Sequence, residues 1–126
     1  MAKRILIAED DPDILFILEI VLSEAGYAVE LMAEGSSILQ RKKQLPDLFI
    51  LDKEMPLVDG LTISKHLKSQ EETKHIPIIM ISAYHKAHKK AKAVGVEAFI
   101  DKPFEIHDLL KTVSKYISNE SRATIL

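Results

Sequence analysis

The 126-residue chain contains no cysteine. That removes disulfides, thiolate nucleophiles and zinc–thiolate sites together, and leaves folding independent of redox state. The chain also lacks any apolar stretch near the roughly 20 residues needed to span a bilayer. Its richest patch, Ile14 to Leu22, is interrupted by Glu19. Nor is there an excess of one charge: 17 Lys and Arg against 19 Asp and Glu leave −2. A nucleic-acid polyanion or an anionic membrane surface is therefore not expected as a partner. The opening Lys3-Arg4 before Ile5-Leu6-Ile7-Ala8 imitates a secretory signal, but Glu9, Asp10, Asp11 and Asp13 follow directly. An apolar signal core cannot carry four carboxylates, so a cytoplasmic location is expected. Repeats, linkers and low-complexity segments are missing too.

What is present is an ordinary globular composition, 47% hydrophobic and 29% charged, which excludes disorder and suits one domain. A chain of this length buries roughly two-thirds of its unfolded surface. Short apolar runs alternate with longer amphipathic ones. Ile5 to Ala8 reads as strand 1. Asp11-Pro12 supplies an N-cap and a proline at the first helical position, so helix 1 runs to about Ala25 and stops at Gly26. Ala28 to Met32, interrupted by Glu30, reads as an edge strand. A weak helix 2 opens at Gly35-Ser36-Ser37 and ends near Lys43.

Leu48 to Leu51 is strand 3, apolar on both faces, and Asp52 to Gly60 is a loop. Leu61 to Lys68 is helix 3, Ile76 to Ile81 strand 4, Lys86 to Val94 a basic helix 4, and Ala98 to Ile100 strand 5. Ile106, Leu109, Leu110, Val113 and Ile117 form the apolar stripe of helix 5, and the tail from Ser118 is expected to fray. All four glycines (26, 35, 60, 95) fall at boundaries. Doubly apolar strands separated by helices predict an α/β fold, a doubly wound parallel sheet with helices on both faces.

In such a sheet, function gathers at the carboxyl ends of the strands. Glu9 and Asp10 follow strand 1, Asp52 follows strand 3, Ser82 follows strand 4, and Lys102 lies just beyond strand 5, before Pro103. Adjacent strands are about 4.8 Å apart, so if strands 1 and 3 are neighbours they crowd the three carboxylates and raise one or more pKa values. A hard divalent cation relieves this, and oxygen-only donors favour Mg2+. An aspartate beside Mg2+, a lysine and a hydroxyl has the parts of a phosphoryl acceptor. A nucleotide or flavin site is disfavoured, because no glycine-rich loop follows strand 1.

The stretches Ile5-Leu6-Ile7-Ala8-Glu9-Asp10-Asp11, Asp47 to Asp52 with Met55-Pro56 and Asp59-Gly60, Ile78-Ile79-Met80-Ile81-Ser82-Ala83, and Phe99-Ile100-Asp101-Lys102-Pro103-Phe104 occur in that order. Together they make the sequence resemble a two-component response-regulator receiver domain over residues 3 to about 118. The resemblance implies a flavodoxin-like (βα)5 sandwich with strand order 2-1-3-4-5, a receiver domain over 1–118 and a tail over 119–126. It implies Asp52 as phospho-acceptor, and Mg2+ held by Glu9, Asp10, Asp52 and the backbone carbonyl of Glu54. Lys102, Ser82 and the backbone of Ala83 would hold the phosphoryl group. Ser82 and Phe99 would be the switch pair, Glu54 and Tyr84 tuning positions, and Lys102–Pro103 a cis peptide.

The sequence departs from the family pattern in places. Glu9 replaces the commoner Asp, and its longer side chain can meet the metal through water. Ser82 replaces Thr, losing a methyl that restricts the rotamer. Phe99 has no phenolic hydroxyl and can switch by packing alone. The segment between Ser82 and Lys102 is slightly short near the start of helix 4.

The implied function is a phosphorylation-dependent signalling switch, not an enzyme in its own right. A histidine kinase or histidine phosphotransfer protein would supply the phosphate. The surface of helix 4, strand 5 and helix 5 would act on an unknown downstream protein, or support a dimer. A chain of this size leaves no room for a separate output domain, so output is expected by docking, or the chain is a piece of something larger. Two alternatives compete. One is an aspartate-nucleophile Mg2+-dependent phosphatase, which needs an aspartate two residues beyond the nucleophile where this chain has Glu54. The other is a receiver-like interaction domain that is never phosphorylated.

His75, His85 and His88 read as solvated surface residues, since His85 and His88 are three apart with no third ligand evident. Lys86, Lys89, Lys90 and Lys92 read as a solvated helix face. Asp101 and Lys102 read as a solvent-facing pair of little energy.

Overall fold

The computed structural model describes residues 2–39 and 44–125, with the backbone alone for Ser36 and 118–125. The strands are β1 (Arg4–Ala8), β2 (Ala28–Met32), β3 (Leu48–Asp52), β4 (Ile78–Ser82) and β5 (Ala98–Asp101). The helices are α1 (Pro12–Glu24), α2 (Ser36–Leu39), α3 (Gly60–Ser69), α4 (His88–Ala93) and α5 (Ile106–Ile125). All strand pairings are parallel, as the apolar runs predict, and their order β2-β1-β3-β4-β5 is the one the resemblance implies.

The period-2 alternation of strands sorts their side chains into two cores. Ile5, Ile7, Leu48, Ile50, Ile79 and Ile81 face one side and pack with Leu18 and Leu22 of α1 and Leu109, Val113 and Ile117 of α5. Leu6, Ala8, Phe49, Leu51 and Ile78 face the other and pack with Ile38 of α2 and Ile63 and Leu67 of α3. Every residue of β3 and β4 is buried, which explains why both are apolar up to their last residues, Asp52 and Ser82.

The helix ends follow local chemistry. The Asp11 carboxylate accepts from the backbone N–H of Asp13 (2.9 Å) and Ile14 (3.3 Å) ahead of Pro12. Gly26 (φ +99°) and Gly95 (φ +96°) take the left-handed conformation that closes a helix. Tyr27 N–H then reaches back to the Leu22 carbonyl, and Val96 N–H to that of Ala91, each at 3.1 Å.

Several boundaries differ from the sequence reading. β4 begins at Ile78, since Pro77 has no N–H to give to a ladder. Helix 4 opens as a 3-10 turn over His85–Ala87 and becomes α-helical only at His88. Ile106 is exposed, so α5 buries Leu109, Val113 and Ile117 alone among its expected stripe, with Leu110 half-buried. The α5 backbone stays helical through Ile125, where fraying was expected from Ser118. The expected end of helix 2 near Lys43 lies outside the described residues.

At the amino edge of the sheet, Lys68 of α3 is largely buried and its Nζ donates to the carbonyls of Lys74 (3.2 Å) and Ile76 (3.0 Å) and to Glu97 Oε2 (2.7 Å). Glu97 Oε1 in turn accepts from Ile78 N–H at 2.8 Å. At the opposite edge, Gly60 starts α3 against the end of β3. A Cβ there would lie 2.5 Å from the Asp52 carbonyl oxygen and 3.0 Å from Lys53 Cα, both backbone atoms. Gly60→Ala should therefore lower stability by about 1–3 kcal/mol, the usual penalty for overpacking. Urea unfolding measures it, and an unchanged midpoint would contradict this close approach.

Candidate functional site

The register of the sheet aligns the strand ends. Ala8 pairs with Leu51, so Glu9 comes level with Asp52; Asp52 pairs with Ile81, and Ser82 with Asp101. Two backbone bonds of 2.8 Å, Lys53 N–H to Ile81 O and Lys102 N–H to Ser82 O, hold these ends together. Lys102–Pro103 is cis, as expected from the sequence resemblance.

Carboxylate oxygens of Glu9, Asp10 and Asp52 all lie within 4.8 Å of one another. Lys102 Nζ stands 2.9 Å from Glu9 Oε1 and 3.3 Å from Asp52 Oδ1. The remaining oxygen of Glu9 accepts from Asp11 N–H at 3.1 Å. Asp52 Oδ1 also accepts from Glu54 N–H, at 3.1 Å. Lys102 thus turns toward the two buried acids and away from Asp101, which corrects the expected solvent-facing pair.

Burial sets the electrostatics. Asp52 is 1% exposed and Glu9 0%, while Asp10 is exposed. Removal from water, then the hydrogen bond and charge of Glu9, push the Asp52 carboxyl up from 3.8 to about 8, against the pull of Lys102. For Lys102, burial alone would lower the pKa. The hydrogen bond to Glu9 and the charges of Asp52 and Glu9 outweigh it, and the ammonium lies above its ordinary 10.5. One ammonium does not offset three carboxylates. An all-oxygen donor set with this unrelieved repulsion and an open side at Asp10 fits a hard divalent cation.

Ser82 is buried, and its hydroxyl donates to Glu54 Oε2 at 2.7 Å while accepting from Tyr84 N–H at 2.9 Å. The Ala83 N–H donates to Glu54 Oε1 at 3.2 Å. Glu54 therefore spans the gap between the ends of β3 and β4. The sequence marks it only as a neighbour of Asp52; nothing local in it reveals that its carboxylate takes both the Ser82 and Ala83 donors. Phe99 is half-buried with its ring centroid 3.9 Å from that of His88, and Tyr84 is exposed. His85 and His88 are not merely solvated, because both approach Asp101.

The fold and this acidic edge define a doubly wound signalling domain with an aspartate at its centre. The response regulator receiver domain family matches residues 5–114, and the chain belongs to that family. Receiver domains are phosphorylation-dependent switches of two-component systems, and they work with histidine kinases or phosphotransfer proteins and with downstream partners. The phosphatase alternative is not favoured.

The chain is 34% identical over 122 residues to the DNA-binding dual master transcriptional regulator RpaA of Synechocystis. That alignment takes in 94% of this chain but 51% of RpaA, so the chain spans about half of that relative. It is 29% identical to the polar-differentiation response regulator DivK of Brucella ovis, covering 94% of this chain and 99% of DivK. Among solved structures, it is similar to the receiver domain of the sensor histidine kinase PA1611 from Pseudomonas aeruginosa PAO1. That domain has a magnesium ion coordinated in its active site cleft (TM-score 0.85, 26% identity, 94% of this chain and 99% of that one). Among the described residues no helix is long and apolar enough to cross a membrane.

The raised Asp52 pKa has a consequence for stability. Between 3.8 and about 8 the folded chain keeps a proton on Asp52 that the unfolded chain has given up. This group's contribution is therefore greatest below the unfolded value and is lost as the pH rises toward the folded one. In chelator-treated buffer the melting temperature should fall across that window more steeply than in Asp52→Asn. Parallel pH profiles of the two proteins would argue against a strained Asp52.

Proposed function

We propose that Asp52 is the residue phosphorylated in this receiver domain. The observation that carries this reading is the placement of the Asp52 carboxylate beside a single ammonium, Lys102, opposite Glu9 and Asp10. Asp52 gives up to solvent the proton that its burial favours, and an oxygen of the ionised carboxylate attacks the phosphorus of a phosphohistidine donor. The P–N bond breaks, its electron pair stays on the imidazole nitrogen, and that nitrogen takes up a proton from solvent. Lys102 offsets charge on the transferred oxygens. Glu9, Asp10, Asp52 and the Glu54 backbone carbonyl would hold Mg2+, and the ion would neutralise charge on carboxylates and phosphoryl oxygens alike.

Glu54 adds a tuning device. Its carboxylate already takes the Ser82 hydroxyl and the Ala83 N–H, the two donors assigned to the phosphoryl group. An incoming phosphoryl group would thus compete with the Glu54 carboxylate for these two donors. Release of Ser82 then moves the hydroxyl onto the phosphoryl group, and Phe99 repacks on the face of α4, β5 and α5. That face is the assigned output surface, for a downstream protein or a second copy of the chain.

Exposed Phe16, Ile17 and Ile20 on α1, with Leu57 and Tyr84 on the loops at the carboxyl edge and Ile106 at the start of α5, supply an apolar rim on which a donor protein can dock. A cytoplasmic location follows from such a donor.

Incubation with Mg2+ and a small phosphodonor should add one phosphate by intact mass, and Asp52→Asn should abolish it. Unchanged labelling of that variant would place the acceptor elsewhere. Glu54→Ala should phosphorylate about tenfold faster, the equivalent of one charge-assisted hydrogen bond of about 1.5 kcal/mol. A slower rate would make Glu54 a helper and not a competitor.

A further inference from the structure

We propose that His85, His88 and Asp101 form a second cation site, distinct from the acidic pocket, that takes a borderline transition-metal ion of the Zn2+ class. His85 opens the 3-10 turn after β4, His88 starts α4, and Asp101 ends β5. Three residues from two separate stretches of chain thus meet at one corner. His85 Nδ1 lies 3.3 Å from both Asp101 oxygens, and His88 Nε2 lies 3.4 Å from Oδ1. The two imidazole rings are 4.5 Å apart between centroids. One donor atom from each residue fits within a span of 4.8 Å.

The distances favour a metal over simple ion pairing. A charge-assisted N–H···O bond is about 2.7–2.9 Å long, shorter than either contact here. A tetrahedral Zn2+ with arms of about 2.05 Å has ligand–ligand edges of about 3.3 Å. The two His–Asp separations of 3.3 and 3.4 Å match that edge. The His88 side chain is 41% exposed, but its Nε2 is itself shut off from solvent, and its approach to Asp101 is not a hydrogen bond of acceptable geometry; coordination would give that nitrogen a full partner.

Donor chemistry separates this site from the first. Two imidazoles and a carboxylate suit Zn2+, Ni2+ or Cu2+, whereas Mg2+ prefers oxygen alone. Three protein ligands leave a position for water. Lys86, Lys89 and Lys90, next to the ligands in sequence, oppose a dication, so the affinity expected is micromolar. A bound ion ties the start of α4 to the end of β5 and holds the His88 ring against Phe99. Its effect on signalling rests on the receiver reading given above, but the binding itself does not.

The test is calorimetric titration of the chelator-treated chain with Zn2+ in excess Mg2+, with Co2+ absorption reporting the ligand geometry. One ion per chain should bind, and Co2+ should give the intense visible bands of a tetrahedral centre. His85→Ala, His88→Ala and Asp101→Ala should each weaken binding by at least the ~10-fold that loss of even an outer-shell partner brings. Circular dichroism confirms that each variant is folded. His75→Ala and Asp52→Asn should bind as the parent does, so the site stands even if Asp52 is not the acceptor. No saturable binding, full binding by the His85→Ala/His88→Ala double variant, or loss of binding in Asp52→Asn would each overturn the proposal.

Discussion

Three carboxylates held together against a single ammonium are the constraint around which the carboxyl edge of the sheet is built. Glu9 and Asp52 are buried, and their mutual repulsion is only partly met by Lys102 at 2.9 and 3.3 Å. The sheet supplies the force that keeps them there. Doubly apolar β1 and β3 lie side by side with both faces covered, and the hydrophobic stabilisation of that burial greatly exceeds the strain at its end. A stable scaffold thus presents an unstable arrangement of charge, as is usual where a protein is tuned for chemistry.

Much of this was legible in the residues. The strands announced themselves as short runs of Ile, Leu, Val and Ala. Asp11-Pro12 marked the start of α1 with a recognisable mechanism, and Gly26 and Gly95 marked helix ends that need positive φ. From that parsing alone, Glu9, Asp10, Asp52, Ser82 and Lys102 all fell at strand ends, and the register then brought them to one edge. The near-complete burial of Asp52 was not legible, because no local pattern records how far the end of a central strand is covered.

Long-range partnerships were less accessible. Glu54 reaches Ser82 and Ala83 across 28 and 29 residues, and a glutamate two positions after an aspartate carries no sign of it. His85 and His88 looked solvated because their third partner, Asp101, stands 16 residues from His85, on another strand. Asp101 in turn looked paired to Lys102, its neighbour in sequence. Successive residues of an extended strand point to opposite sides, so adjacency there predicts separation. Ile106 was misread for a related reason: periodicity identifies a helical stripe but not where along the helix the core ends.

The two rims of the sheet are built differently. At the upper rim, charges compete and several donors have more than one possible partner. At the lower rim, Lys68 ties α3 to the chain before β4 and to Glu97, which itself clasps Ile78. All three Lys68 donors and both Glu97 oxygens are spoken for, leaving no spare valence through which that corner could rearrange. The carboxyl ends of β3, β4 and β5 are themselves joined by the Lys53–Ile81 and Lys102–Ser82 backbone bonds, so the freedom at that rim belongs to its side chains and not to its strands.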